Sequence, residues 1–179
     1  MSRQVAFLRG VNLGKSRRVK NEALREAFEQ LGFDDVATFR ASGNVVFDGR
    51  GRAAELRARI EAGLAEALGI EIMVFLRSGG EVGAIAAHEP FEARKMRPSA
   101  GKLQVALLAA NPEAAVCRQA LALASERDPL ALAGRELYWL PSGRMVDSEL
   151  DLKALESLVG PWTMRTMGTI EQIAARHCP

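Results

Sequence analysis

The residues best suited to chemistry lie in one early stretch, Arg9-Gly10-Val11-Asn12-Leu13-Gly14-Lys15-Ser16-Arg17-Arg18-Val19-Lys20. It carries the cations Arg9, Lys15, Arg17, Arg18 and Lys20 and no acidic residue. Glycines expose backbone N–H groups, and with Asn12 and five cations they make a set able to hold a phosphate or carboxylate. A nucleotide-hydrolysing P-loop requires four positions between its glycines, G-x-x-x-x-G-K-[ST]. Here three separate Gly10 from Gly14. The following helix also starts several residues after Lys15, too far along to aim its N–H groups at a phosphate in the loop. The hydrolase is rejected and the anion-binding idea kept. Ser42, Gly43 and Asn44 join it, because the end of a first strand should meet the start of a third. The plainer alternatives are a solvated basic loop and a Ser-Gly-Asn hairpin turn.

Other chemistries find less support. Residues 40–47, Arg-Ala-Ser-Gly-Asn-Val-Val-Phe, fit the frame of an RNP1 motif at Arg40, Gly43, Val45 and Phe47. Ser42 and Asn44 occupy the positions where aromatic rings should stack on bases. His88, beside Glu89 and Pro90, reads as a helix-end residue. Cys117 and one of Tyr138 and Trp139 read as core, and Trp162 pins the C-terminal segment. No nucleophile–base pair, metal cluster or cofactor site can be assembled, so no catalytic residue, metal or cofactor is expected.

The net charge of +2 conceals an asymmetry. Residues 1–21 hold Arg3, Arg9, Lys15, Arg17, Arg18 and Lys20, a charge of +6, so residues 22–179 sum to −4. A second basic cluster comprises Arg94, Lys95, Arg97 and Lys102. Such concentration favours an anionic partner. With 48% hydrophobic and 26% charged residues and no apolar run of about 20, the composition is globular and not membrane-spanning. No signal peptide precedes the first strand, and Cys117 and Cys178 make no disulfide framework; a cytoplasmic location is expected.

The elements must position these residues. Val5–Leu8 reads as a buried strand, and 21–31 as a helix with Ala23, Leu24, Ala27, Phe28 and Leu31 on one face, stopped by Gly32. Residues 35–40 and 44–48 form a hairpin. A helix over 52–68 places Leu56, Ile60, Leu64 and Leu68 at fourfold spacing, and 71–76 is a fourth strand. The order is βαββαβ. A helix over 78–87 opens with a Ser78–Glu81 capping box. After the aperiodic 88–101 come a strand at 103–110, a helix capped by Asn111 and Pro112 that buries Val116, Ala120 and Leu123, and a hairpin about Gly134-Arg135 of type II′. A helix from 148 to 159, a strand near 163–166 and a last short helix complete the chain. The fold class is α+β: two ferredoxin-like α/β-sandwich halves with a C-terminal helical segment, divided as 1–77, a connection over 78–102, and 103–179. The two halves show no clear sequence repeat.

Phe7-Leu8-Arg9-Gly10-Val11-Asn12-Leu13-Gly14, Ser42-Gly43-Asn44-Val45-Val46-Phe47, Pro90-Phe91, Gly134-Arg135-Glu136-Leu137-Tyr138 and Met164-Arg165-Thr166 occur in this order. In these pieces the chain resembles the domain-of-unknown-function family numbered 1697. The resemblance implies an α+β fold with ferredoxin-like character and no activity. Such proteins often carry Ser-Lys after the Pro-x-Gly turn, where this chain has Ser148-Glu149. A serine–lysine nucleophile is therefore not read, and Ser148 is assigned as a helix cap. The functional expectation is a non-catalytic module that binds a phosphate-bearing ligand, nucleic acid included, through the 9–20 loop. The alternatives are an enzyme acting on a small anionic substrate between the halves, or a protein-docking module.

Overall fold

A computed structural model describes residues 2–11, 19–40, 43–92 and 101–178. The chain divides into two compact units, Met1–Ala84 with Ile173–Pro179, and Ile85–Gln172.

The first unit contains β1 (Ser2–Arg9), α1 (Asn21–Gln30), β2 (Asp34–Thr38), β3 (Asn44–Gly49), α2 (Ala53–Leu68) and β4 (Met73–Ser78). Its sheet runs β2-β3-β1-β4, with β1 antiparallel to both neighbours. That is the order the βαββαβ expectation requires. Leu24, Ala27 and Phe28 form the buried stripe of α1, and Leu56, Ile60 and Leu64 that of α2. They pack with Ala6, Leu8, Val45, Phe47, Val74 and Leu76, alternate residues of the strands. The intervening Val5, Phe7, Val46 and Phe75 are buried too, which is why these strands read as continuous apolar runs.

Gly32 ends α1 as the sequence predicts. At φ +73 its N–H donates to the Glu29 carbonyl, while the Phe33 N–H reaches back to Phe28. These are the two bonds of a Schellman motif, and the Phe28 and Phe33 rings, 5.9 Å apart, supply its apolar contact.

α3 (Gly79–Ala86) follows β4, and the boundary between the units falls within it. The second unit then repeats the plan with β5 (Gln104–Leu108), α4 (Ala114–Leu121), β6 (Leu130–Ala133), β7 (Glu136–Trp139), α5 (Leu152–Val159) and β8 (Trp162–Thr166). The sheet order is β6-β7-β5-β8, again with the first strand antiparallel to both neighbours. α6 (Met167–His177) follows β8 as α3 follows β4. Laid strand on strand, the halves do share sequence. Gln4-Val5-Ala6-Phe7-Leu8 matches Gln104-Val105-Ala106-Leu107-Leu108, and Arg77-Ser78 matches Arg165-Thr166. Register agrees: Val5 faces Arg77 as Val105 faces Arg165. Only the strand alignment brings these short matches together.

Three expectations need correction. α4 begins at Ala114 after Glu113 in extended backbone, so Asn111 and Pro112 precede the cap. The helix ends at Leu121 and buries Ala120 alone, leaving Leu123 37% exposed. Ser148 does not cap α5: Asp151 does, its carboxylate accepting from the N–H groups of Lys153 and Ala154 at 3.0 and 2.9 Å. The type II′ turn agrees with the structure, since Gly134 has φ +59 and Arg135 has no positive φ.

Candidate anion site

The geometry that matters begins where β1 ends. Phe7 pairs with Asn44, and the Leu8 N–H donates to the Gly43 carbonyl at 2.8 Å. The end of β1 thus meets the start of β3 as the strand order predicts, with Phe7-Leu8 opposite Asn44-Gly43 and Arg9-Gly10 following directly in the chain. Gly10 has φ +89 and Gly43 φ +71, so the chain curls through left-handed backbone on both sides of the junction. A Cβ on Gly43 would lie 3.1 Å from the Leu8 Cβ and 3.3 Å from the Val11 Cβ. Here glycine is needed for space as well as conformation.

Asn44 is 1% exposed. Its side-chain amide donates to the Phe39 carbonyl at 3.0 Å, and the Phe39 N–H donates to the Asn44 carbonyl at 2.9 Å. Arg9 and Gly10 are half-buried, and Lys20 is exposed immediately before α1. Asn12, Lys15, Arg17, Arg18 and Ser42 lie outside the described residues, as do Arg94, Lys95 and Arg97. α1 starts at Asn21 and the strands adjoining β1 are antiparallel, both foreign to a P-loop enzyme. Phe47, the ring of the RNP1-like frame, is fully buried against Phe28 and Phe33 and offers no face to a base.

Next to Asn44 stands a group that sequence reasoning missed. Arg40, at φ +57, and Arg176 of α6 both approach the Phe39 ring, with guanidinium carbons 5.6 and 5.5 Å from its centroid. His177 meets the ring edge-on at 6.3 Å. Burial holds the His177 imidazole below its ordinary pKa, and Arg3 and Arg176 add to the effect while Asp35 opposes it. Arg3 itself is paired with Asp35 at 2.6 Å and Asp48 at 3.4 Å. Arg176 and His177 are visible in sequence as a basic last helical turn, but nothing there joins them to Phe39.

The second unit holds a buried carboxylate that was also missed. Asp128, 4% exposed, accepts from the Trp139 indole N–H at 2.8 Å and from the Ser148 hydroxyl at 2.7 Å. Ser148 in turn accepts from the Leu150 N–H at 3.0 Å. With its hydroxyl bonded to a carboxylate and Lys153 exposed on α5, Ser148 belongs to a structural clasp. Trp139 and Tyr138 are both buried, and His88 lies against Tyr138 with centroids 4.9 Å apart. Arg165 donates to the Thr163 hydroxyl and the Met164 carbonyl, and burial pushes its pKa down to about 10. Cys117 is half-buried beside the Pro112 carbonyl; burial raises the Cys178 thiol. Among the described residues no group of three His, Cys, Asp or Glu side chains could hold a metal, and no helix is long and apolar enough to cross a membrane.

The model of a family described as Protein of unknown function (DUF1697) matches residues 1–138. No curated protein matches the chain. Among solved structures, the chain is similar to the conserved bacterial protein SP0830 from Streptococcus pneumoniae. The TM-score is 0.76 at 21% identity, over 98% of this chain and 97% of that one. At that identity the likeness speaks for the fold.

Proposed function

The chain belongs to the Protein of unknown function (DUF1697) family, and we propose that it binds a phosphate-bearing ligand through the 9–20 loop and the 42–44 turn of its first unit. The observation that carries this reading is the meeting of the end of β1 with the Gly43 turn, Leu8 bonded to Gly43, with Gly10 and Gly43 both in left-handed backbone. Curled backbone presents N–H groups to one side, the arrangement by which many proteins cradle anions without a helix dipole. The charge of +6 over residues 1–21 supplies attraction at longer range. The reading is of a binding module, since backbone N–H groups and cations are binding groups.

The test is titration with inorganic phosphate and with a short single-stranded oligonucleotide at several salt concentrations. Wild type is compared with a variant in which Lys15, Arg17 and Arg18 are all glutamine. Wild-type affinity should fall steeply with salt, and the triple variant should bind more weakly with a shallower slope. Its melting temperature should hardly change, since solvated charges contribute little to folding. Equal binding by both proteins rejects the loop as the site.

A further inference from the structure

Each unit presents two sheet edges, β2 and β4 in the first, β6 and β8 in the second. An edge strand leaves a row of N–H and C=O groups unpaired, and proteins commonly occupy or distort that row. Three of the four edges are treated so. In β2 the ladder shifts register between Asp34 and Ala37, Asp35 stands at φ +45, and its carbonyl accepts from the Arg3 guanidinium at 3.4 Å. In β4 the Val74 N–H donates to the Glu61 carboxylate and the Leu76 carbonyl accepts from Arg77, both at 2.9 Å. In β8 the Met164 carbonyl accepts from Arg165 at 2.8 Å.

β6 is left open. The Leu140 N–H donates to the Pro129 carbonyl, and Ala131 and Ala133 stand opposite Tyr138 and Glu136. By the alternation of an antiparallel ladder, the N–H and C=O groups of Leu130 and Leu132 therefore point away from β7. Among the described residues none bonds to them. The strand residues are all half-buried, and residues 129–134, Pro-Leu-Ala-Leu-Ala-Gly, carry no charge. Asp128 before them is held by Trp139 and Ser148. α4 packs against β6 and ends in Leu121, which like Leu123 is 37% exposed, so apolar surface is also available on the helix beside the edge.

We propose that this edge pairs with the same edge of a second copy, the two β6 strands running antiparallel across a two-fold axis at Ala131. In that register the strand complements itself. Leu130 of each copy stands opposite Leu132 of the other, and each such pair exchanges both of its N–H···O bonds. Ala131 faces Ala131 at the close spacing of a non-hydrogen-bonded pair, where methyl groups fit and no like charges meet. The leucines meet on the face already packed on the core of the second unit, beside α4 of each copy. A foreign strand would gain the same backbone bonds, but the edge has no charged side chain to select its sequence, whereas the two-fold matches leucine to leucine. Stable interfaces bury about 1,200–2,000 Å² in total, more than a pair of four-residue strands supplies, so the dimer is a reversible one even with α4 contributing.

The full-length protein is followed by sedimentation equilibrium over a wide range of concentration. Wild type should pass from monomer to dimer as concentration rises. Ala131→Lys and Ala131→Glu each set like charges opposite one another at the axis, and each should weaken dimerisation by about tenfold or more. An equimolar mixture of the two variants should recover the dimer, because lysine then faces glutamate. Misfolding of either variant would not produce that recovery. Amide hydrogen exchange at Leu130 and Leu132 should slow with concentration in wild type and stay fast in Ala131→Lys. Monomer at every concentration overturns the proposal and leaves the edge to a strand of a different protein. A dimer that both variants preserve, or variants that stay monomeric when mixed, overturns the two-fold at Ala131.

Discussion

Replacing Gly43 by alanine tests the junction at which the site is built. The backbone there has φ +71, which costs an alanine about 1–2 kcal/mol. The new Cβ would stand 3.1 Å from the Leu8 Cβ, 3.3 Å from the Val11 Cβ and 3.4 Å from the Leu8 carbonyl oxygen. Leu8 sits in the central strand and cannot easily withdraw, so crowding adds about 1 kcal/mol, the low end for overpacking. The smaller entropy of the unfolded alanine chain offsets about 0.4–1 kcal/mol. The net expectation is a loss of about 2 kcal/mol, seen in urea titration as a lower midpoint at unchanged slope. Gly83 in α3 provides the control: it has no positive φ and nothing within 4 Å of the place a Cβ would take, so Gly83→Ala should gain about 0.5–1 kcal/mol. If Gly43→Ala stays within about 0.5 kcal/mol of wild type, the typical spread of surface changes, the steric account of the junction is wrong.

Ile60→Ala, at a fully buried position of the first core, should cost about 2–5 kcal/mol by denaturant titration. Asp128→Ala strands the buried Trp139 indole N–H and frees the Ser148 hydroxyl; a loss of about 2–3 kcal/mol is expected by fluorescence-detected unfolding, with Asp128→Asn milder because it keeps one acceptor. His177 titrates below its unfolded value near 6.5, so the unfolded chain takes the proton first. Stability should therefore fall as pH drops below about 6.5 and level off below the folded pKa, and His177→Gln should flatten that part of the melting-temperature profile.

The elements that sequence revealed are those whose signals are local. Gly32 and Gly69 stop their helices, the latter at φ +65, because a left-handed cap is written in one residue. Ser78 and Glu81 bond reciprocally at 2.8 and 3.2 Å, a box closed within three residues. Asn111-Pro112 misled because it is an equally good start for a turn before a helix, and only packing chooses where the helix begins. The meeting of the end of β1 with the start of β3 was legible because topology follows from the order of elements. The cluster around Phe39 was not: its second arginine arrives from α6, and no periodicity or spacing connects residue 40 to residue 176. Asp128 was hidden for the same reason. A carboxylate in a polar loop reads as solvated until Trp139 and Ser148 are seen to donate to it.

The membership of Ile173–Pro179 in the first unit bears on how the protein is made. On a ribosome β1 to β4 emerge early and can pair, while Phe39 and Arg3 wait for Arg176, His177 and Cys178. At about 5–20 residues per second the intervening chain takes on the order of ten seconds to synthesise. During that interval the nascent first unit lacks its final helical turn, and the half begun first is finished last. Its completion thus waits on translation of the whole second half, a built-in delay during which a chaperone would meet a paired N-terminal sheet still lacking the helical turn that covers Phe39.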